Sequence, residues 1–243
     1  MYGMYGYGYG YGYGLDPTII LVLIGVALSL WAQGRVNSTF SRYSRVRSMT
    51  GMTGAEAARR LLNAQGIYDV TVQQIAGELT DHYDPRTKTV NLSQSVYGAT
   101  SVAAIGVAAH ECGHAMQDNE GYAPLRFRSA LVPVANFGSS LSWPLILLGL
   151  VFGGLGSPLV EIGILMFSLA VLFQLVTLPV EYNASARAVR LLDAQGILAG
   201  EEVNGTRKVL NAAALTYVAA AATSILQLLR LIILFGGRNR RDR

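Results

Sequence analysis

Charge is scarce in this chain. Only 14% of its 243 residues are Asp, Glu, Lys or Arg, while 51% are apolar, a balance poor in charge for a soluble globule of this length. A single cysteine, Cys112, excludes an internal disulfide framework and fits a reducing compartment. The net charge of +4 is not accompanied by exposed aromatics among the basic residues, so nucleic acid is not the expected partner. The arginines instead flank long apolar runs, which points to a lipid bilayer.

Four such runs cover 18–32, 131–154, 159–180 and 212–235. The middle two reach the roughly 20 residues that a spanning helix needs. The first is a little short, and the fourth carries Gln227 and Arg230. The first run lacks both a basic leader and a small-residue cleavage site, so it is expected to be a retained anchor. No Lys or Arg precedes it, whereas Arg35, Arg42, Arg45 and Arg47 follow. By the positive-inside rule residue 34 onward is cytoplasmic. Arg126 and Arg128 before the second run, and Arg187 and Arg190 after the third, agree with that side. The tail Arg238, Arg240, Arg241, Arg243 does not, and leaves open whether the fourth helix crosses.

The expected organisation is mainly α. A Tyr/Gly-rich tail (1–16), read as disordered, precedes a first spanning helix (17–33) and a cytoplasmic region (34–129). A transmembrane helical hairpin (130–180) splits that region from its continuation (181–210). A fourth apolar helix (211–236) and a basic tail (237–243) close the chain. Within the cytoplasmic part, Thr53 and Glu56 form a capping-box pattern and Gly66 a helix stop. Leu-Leu-x-Ala-Gln-Gly-Ile occurs at 61–67 and again at 191–197, one helix-stop solution used twice. Asp84-Pro85 marks the turn of a small β-hairpin, and a helix is expected to begin near Ser101.

Two of only three histidines, His110 and His114, stand four apart with Glu111 directly after the first. On a helix that spacing points both imidazoles the same way, as shared metal coordination requires. In a His-Glu-x-x-His site the histidines bind zinc, the metal lowers the pKa of a water in its open position, and Glu111 serves as the general base. Such nitrogen and carboxylate donors also accept manganese, cobalt or iron. A third ligand is needed, and three residues compete. Glu120 stands ten residues after His110, but Gln117 occupies the position where a metzincin pattern needs glycine. His82 lies on the hairpin, beside Asp81 and Asp84. Glu181 follows the third apolar run, and Ala184, Ser185 and Ala188 beside it form a small-residue face suited to close packing against Ala109 and Gly113.

The stretches HECGHAMQ, ALVPVANFGSSLSWPL, LFQLVTLPVEYNASARA, AAALTYVAAA and LTDHYDPRTKTVNLS closely resemble the YugP-like neutral zinc metallopeptidases of bacterial membranes, from about Thr18 to Phe235. The resemblance implies a gluzincin-type site, similar to that of the HtpX and CAAX prenyl proteases. It would hold one zinc on His110, His114 and Glu181, with Glu111 as base, in a zincin-like helical domain. Two positions depart from the family pattern. Cys112 stands where an aliphatic residue is usual, and its side chain is expected to point away from the metal. Asn183 replaces an aspartate; if that residue orients a histidine ligand, the lost charge lowers metal affinity or activity. Ser185 and Arg187 are candidates for supporting the site or binding the transition-state oxyanion, and His82 for approaching substrate. The expected function is a membrane zinc metalloendopeptidase of the cell membrane. Its site would face the cytoplasm and act on peptide segments or membrane proteins, with a place in quality control. The alternative is a scaffold with a structural metal; a transporter ranks last, since no paired intramembrane charges are evident in the sequence.

Overall fold

A computed structural model describes residues 16–154 and 157–236. The Tyr/Gly tail up to Gly14 and the basic tail from Gly237 lie outside them. Seven helices and three strands follow one another as α1 (Ile19–Tyr43), α2 (Gly54–Ala64), β1 (Thr71–Ile75), β2 (His82–Asp84), β3 (Thr89–Ser93), α3 (Gln94–Tyr97), α4 (Val102–Asn119), α5 (Ala123–Gly153), α6 (Pro158–Ala194) and α7 (Glu201–Phe235). Mainly helical architecture with a small sheet is therefore observed. Four helices, α1, α5, α6 and α7, are long and apolar enough to cross a membrane.

Each of the four runs on past its apolar segment. α1 extends to Tyr43, and α6 passes without a break from its apolar run through Glu181 to Ala194, with Pro179 inside it. Membrane-spanning and site-bearing stretches are thus parts of the same rigid rods. α5 packs on α6, α6 on α7, and α7 on α1. Small residues bring the hairpin close: a Cβ on Gly163 would lie 2.6 Å from Ile146 Cγ1 and 2.8 Å from the Ser142 carbonyl oxygen, the kind of approach that holds helices together where lipid supplies no hydrophobic drive.

α7 lies antiparallel along α1. The Thr223 hydroxyl donates to the Gly25 carbonyl at 3.1 Å, and at the far end Arg230 reaches Asp16 at 3.2 Å and Thr18 at 3.3 Å. The two helices therefore reach the same level. Arg230 is also paired with a carboxylate, unlike the expectation that the apolar runs hold no paired charge.

At the other end the helices enter a compact body. α2 carries the capping box: Thr53 Oγ1 accepts from Glu56 N–H at 3.2 Å while the Glu56 carboxylate accepts from Thr53 N–H at 2.8 Å, a motif worth about 1 kcal/mol. Both Leu-Leu-x-Ala-Gln-Gly-Ile segments end helices identically. Gly66 and Gly196 take positive φ (70° and 60°), and Ile67 and Ile197 N–H donate at 3.0 Å to the Leu62 and Leu192 carbonyls. These Schellman stops turn both isoleucines into one core with Leu61, Leu62, Leu92, Ile105 and Leu192. The hairpin β2–β3 is present, with His82 opposite Asn91 and Asp84 opposite Thr89. A third strand, β1, joins it parallel to β3, giving the order β1-β3-β2. The buried β3 is central, which leaves β2 on an edge.

Candidate metal centre

Ser101 opens α4, its hydroxyl accepting from Ala104 N–H at 3.2 Å. Small residues then let the helix run through the middle of the body, where Ala103 to Ile105, Ala108 and Ala109 are wholly buried. α4 and α6 meet at Gly113, where any Cβ would lie 2.6 Å from the Ala184 carbonyl oxygen. That contact between small residues brings Glu181 opposite the histidine face. Glu181 Oε2 sits 3.2 Å from His110 Nε2 and 3.5 Å from His114 Nε2, and one donor atom from each residue lies within 4.8 Å of the others.

Those separations suit a tetrahedral cation. Metal bonds of about 2.0–2.2 Å imply donor–donor edges of about 3.4 Å. The surrounding bonds support the same reading. Gln117 Nε2 donates to the Val180 carbonyl at 2.9 Å and to Asn183 Oδ1 at 3.0 Å, so its Oε1 is the atom facing His114 Nδ1 at 3.1 Å. An amide oxygen accepts only, so Nδ1 carries the proton and the Nε2 lone pair points at Glu181. On the other ring, His110 Nδ1 lies 3.1 Å from the Ser185 hydroxyl. Lone pairs of a ring nitrogen and a carboxylate facing each other in a buried site need a cation or protons between them. In the metal-free protein a proton is favoured on His114: burial opposes the charge, but the hydrogen bond to Glu181 and the charges of Glu111 and Glu181 outweigh it and raise the pKa.

Glu111 is buried on α4 but is not among the three clustered donors. Of the other residues singled out in the sequence, Ser185 reaches a candidate ligand directly. Asn183 does so only through Gln117, its Oδ1 also accepting from Arg187 Nε at 2.7 Å. Asn183 thus works there as a hydrogen-bond acceptor, a role open to asparagine and aspartate alike. Glu120 is not brought to the site. It is held at 2.5 Å by Arg187, which keeps its carboxyl below the ordinary range. His82 lines the same cleft as the histidines, but its ring is held by the Thr80 carbonyl at 2.8 Å and Asn91 at 3.1 Å. The Cys112 sulfur faces the Ala58 carbonyl, away from the site, and burial pushes its thiol pKa up.

Three contributors were not singled out in the sequence. Gln117 had been weighed only as a missing glycine. Arg128, on α5, places Nη2 3.8 Å from Glu181 Oε1 and lies over the Phe173 ring, while its buried Nε has no hydrogen-bond partner among the described residues. Its position at the start of an apolar helix had explained it as a topology charge. Tyr217, on α7, interacts with Glu181. The one signal for it in the sequence was a lone tyrosine within an alanine run.

The cleft holds about 830 Å³ and is walled by β2 on one side and α5 on the other, with His110, Glu111, His114 and Glu181 at its base. A second recess, of about 320 Å³, reaches His110, Glu111 and Glu181 from the α1 side, past Gln33 and Val36. The family model described as "Putative neutral zinc metallopeptidase" matches residues 18–236. The chain belongs to that family. It is 49% identical over 217 residues to "Putative membrane protease YugP" of Bacillus subtilis (strain 168), covering 89% of this chain and 96% of that relative. No solved structure matches. The family's zinc and the relative's membrane setting accord with the His-His-Glu cluster and with the four long apolar helices.

Proposed function

We propose that the protein is a membrane zinc metalloendopeptidase in which His110, His114 and Glu181 hold the metal and Glu111 is the general base. The observation that carries this reading is the convergence of Glu181 Oε2 on both Nε2 atoms at 3.2 and 3.5 Å. Zinc bound there supplies Lewis acidity, making water nucleophilic near neutral pH and polarising a carbonyl. Gln117 and Ser185 orient the rings so that Nε2 faces inward. Glu111, buried at the cleft floor, takes the proton from the attacking water and returns it to the departing amine nitrogen. Arg128 lines the cleft beside Glu181, and its guanidinium suits a peptide carbonyl or a developing oxyanion.

Edge strand β2 forms one wall of the cleft, and an extended peptide added along it would be fixed by main-chain hydrogen bonds across the site. The opposite wall, with Val132, Pro133 and Asn136, belongs to a helix long enough to span the bilayer. Substrates on this reading are peptide segments at the membrane surface, and misfolded membrane proteins are one source of them. The excess of arginine around the body supports a cytoplasmic site by the positive-inside rule. Three donors rather than four favour an open site over a closed structural one.

The test is hydrolysis of an unfolded, fluorophore-labelled protein by the detergent-purified full chain. Glu111→Gln is expected to lower kcat by roughly 10² to 10⁴-fold while zinc content stays unchanged. Equal activity of the two proteins would remove Glu111 from the mechanism, and the absence of hydrolysis by wild type loaded with zinc would favour a scaffold.

A further inference from the structure

A further cavity, of about 670 Å³, lies apart from the metal centre where α1 and α7 leave their apolar stretches. Arg35, Thr39 and Arg42 come from α1 at spacings of four and seven, so they share one face. Lys208 and Asn211 face them from α7, and Tyr182 closes the side from α6. Three cations line this cavity and no carboxylate does. None of Arg35, Arg42 and Lys208 has a carboxylate within ion-pair distance among the described residues, as is also true of seven other described cations, but these three line one cavity. Arg42 instead lies beside the Tyr43 ring at 5.7 Å.

We infer that this cavity binds the phosphodiester headgroup of an anionic phospholipid. Three converging cations, a hydroxyl and an amide offer the charge and the donors that a phosphate takes. The same chemistry would accept free phosphate, but the surroundings favour a lipid. Leu215 and Ala212 make one end of the cavity apolar, on the α7 side that leads toward its apolar run. On α1 the exposed Leu30 and Trp31 lie one to two turns before the arginine face, in the direction of the membrane. A headgroup held by Arg35, Arg42 and Lys208 could therefore keep its acyl chains along the apolar flanks of α1 and α7.

The test uses the full chain in neutral detergent, with lipid retention read by native mass spectrometry. The probes are phosphatidylglycerol, phosphatidylcholine and inorganic phosphate. Retention of phosphatidylglycerol over phosphatidylcholine is expected. The triple variant Arg35→Gln, Arg42→Gln, Lys208→Gln should weaken it roughly a hundredfold, the loss expected for three cations near an anionic surface. Arg45→Gln, which removes a charge outside the cavity, should leave it unchanged, and Arg42→Lys should retain most of it. Should the triple variant lose its helical circular dichroism, Lys208→Gln alone, at an exposed position, carries the test with a loss of several-fold expected. Equal retention of both lipids, unaltered retention by the cavity variants, or an equal loss on Arg45→Gln would overturn the assignment. Displacement of the lipid by millimolar phosphate would overturn the lipid in favour of a free anion.

Discussion

At the scale of single residues, the candidate site depends on which nitrogen of each ring carries the proton. Gln117 settles this for His114, because its amide nitrogen is already engaged by Val180 and Asn183. Gln117→Leu is expected to lower zinc affinity 10- to 100-fold, the usual cost of losing such a supporting contact, measured by competition with a chromophoric chelator. Acid should release the metal. His114 has a raised pKa in the metal-free protein, so protons compete from above its ordinary 6.5, and zinc affinity should fall as pH drops through the imidazole range; a zinc titration at pH 8, 7 and 6 checks the sign. His110, Glu111 and His114 were legible in the sequence because their spacing is local. Gln117, Arg128 and Tyr217 were not, because each acquires its role from a partner on another helix, 36 to 66 positions away.

Among elements, the contact between α4 and α6 decides whether the three donors meet. Gly113→Ala would place a methyl group 2.6 Å from the Ala184 carbonyl oxygen, and relief requires the helices to part. A loss of about 1–3 kcal/mol is expected, read as a lower melting temperature in detergent, together with reduced zinc content. The contact between Glu120 and Arg187 also joins the end of α4 to α6. Arg187 holds Glu120 ionised with a depressed pKa, so its contribution is present above pH 4.5 and is lost as pH falls through that lowered value. The pair is largely solvent-exposed on the Glu120 side, so a small difference in melting temperature between wild type and Glu120→Gln is expected at pH 7, shrinking as pH falls through the lowered carboxyl pKa. The caps of α2 and α4 and both glycine stops could be read from the sequence, since each is a short-range pattern. β1 pairing with β3 could not, because a parallel register between segments joined through another strand is set by the body around it.

For the whole molecule, continuous helices tie the site to the membrane-spanning part. The sequence divided spans from cytoplasmic segments where hydropathy changed, yet α1, α6 and α7 pass through that change as single rods. Hydropathy records the surroundings of a residue, whereas backbone hydrogen bonding decides where a helix ends. The fourth helix was ambiguous for a related reason: the arginine tail and Arg230 argued against a crossing, while the antiparallel packing on α1 that carries α7 to the level of Asp16 is visible only in three dimensions. Orientation follows from thiol labelling in intact cells in a Cys112→Ala background. A cysteine in place of Arg86 should be shielded from a membrane-impermeant maleimide, and one in place of the exposed Pro158 should be labelled. The reverse pattern would put the cleft outside.

The most direct measurement is elemental analysis of the detergent-purified wild type, Glu181→Gln and Glu111→Gln. About one zinc per chain in wild type and Glu111→Gln, with most of it lost from Glu181→Gln, is the expected result for a three-ligand site with a free general base. Full zinc retention by Glu181→Gln, or its loss from Glu111→Gln alone, would contradict the assignment of ligands on which the proposed function rests.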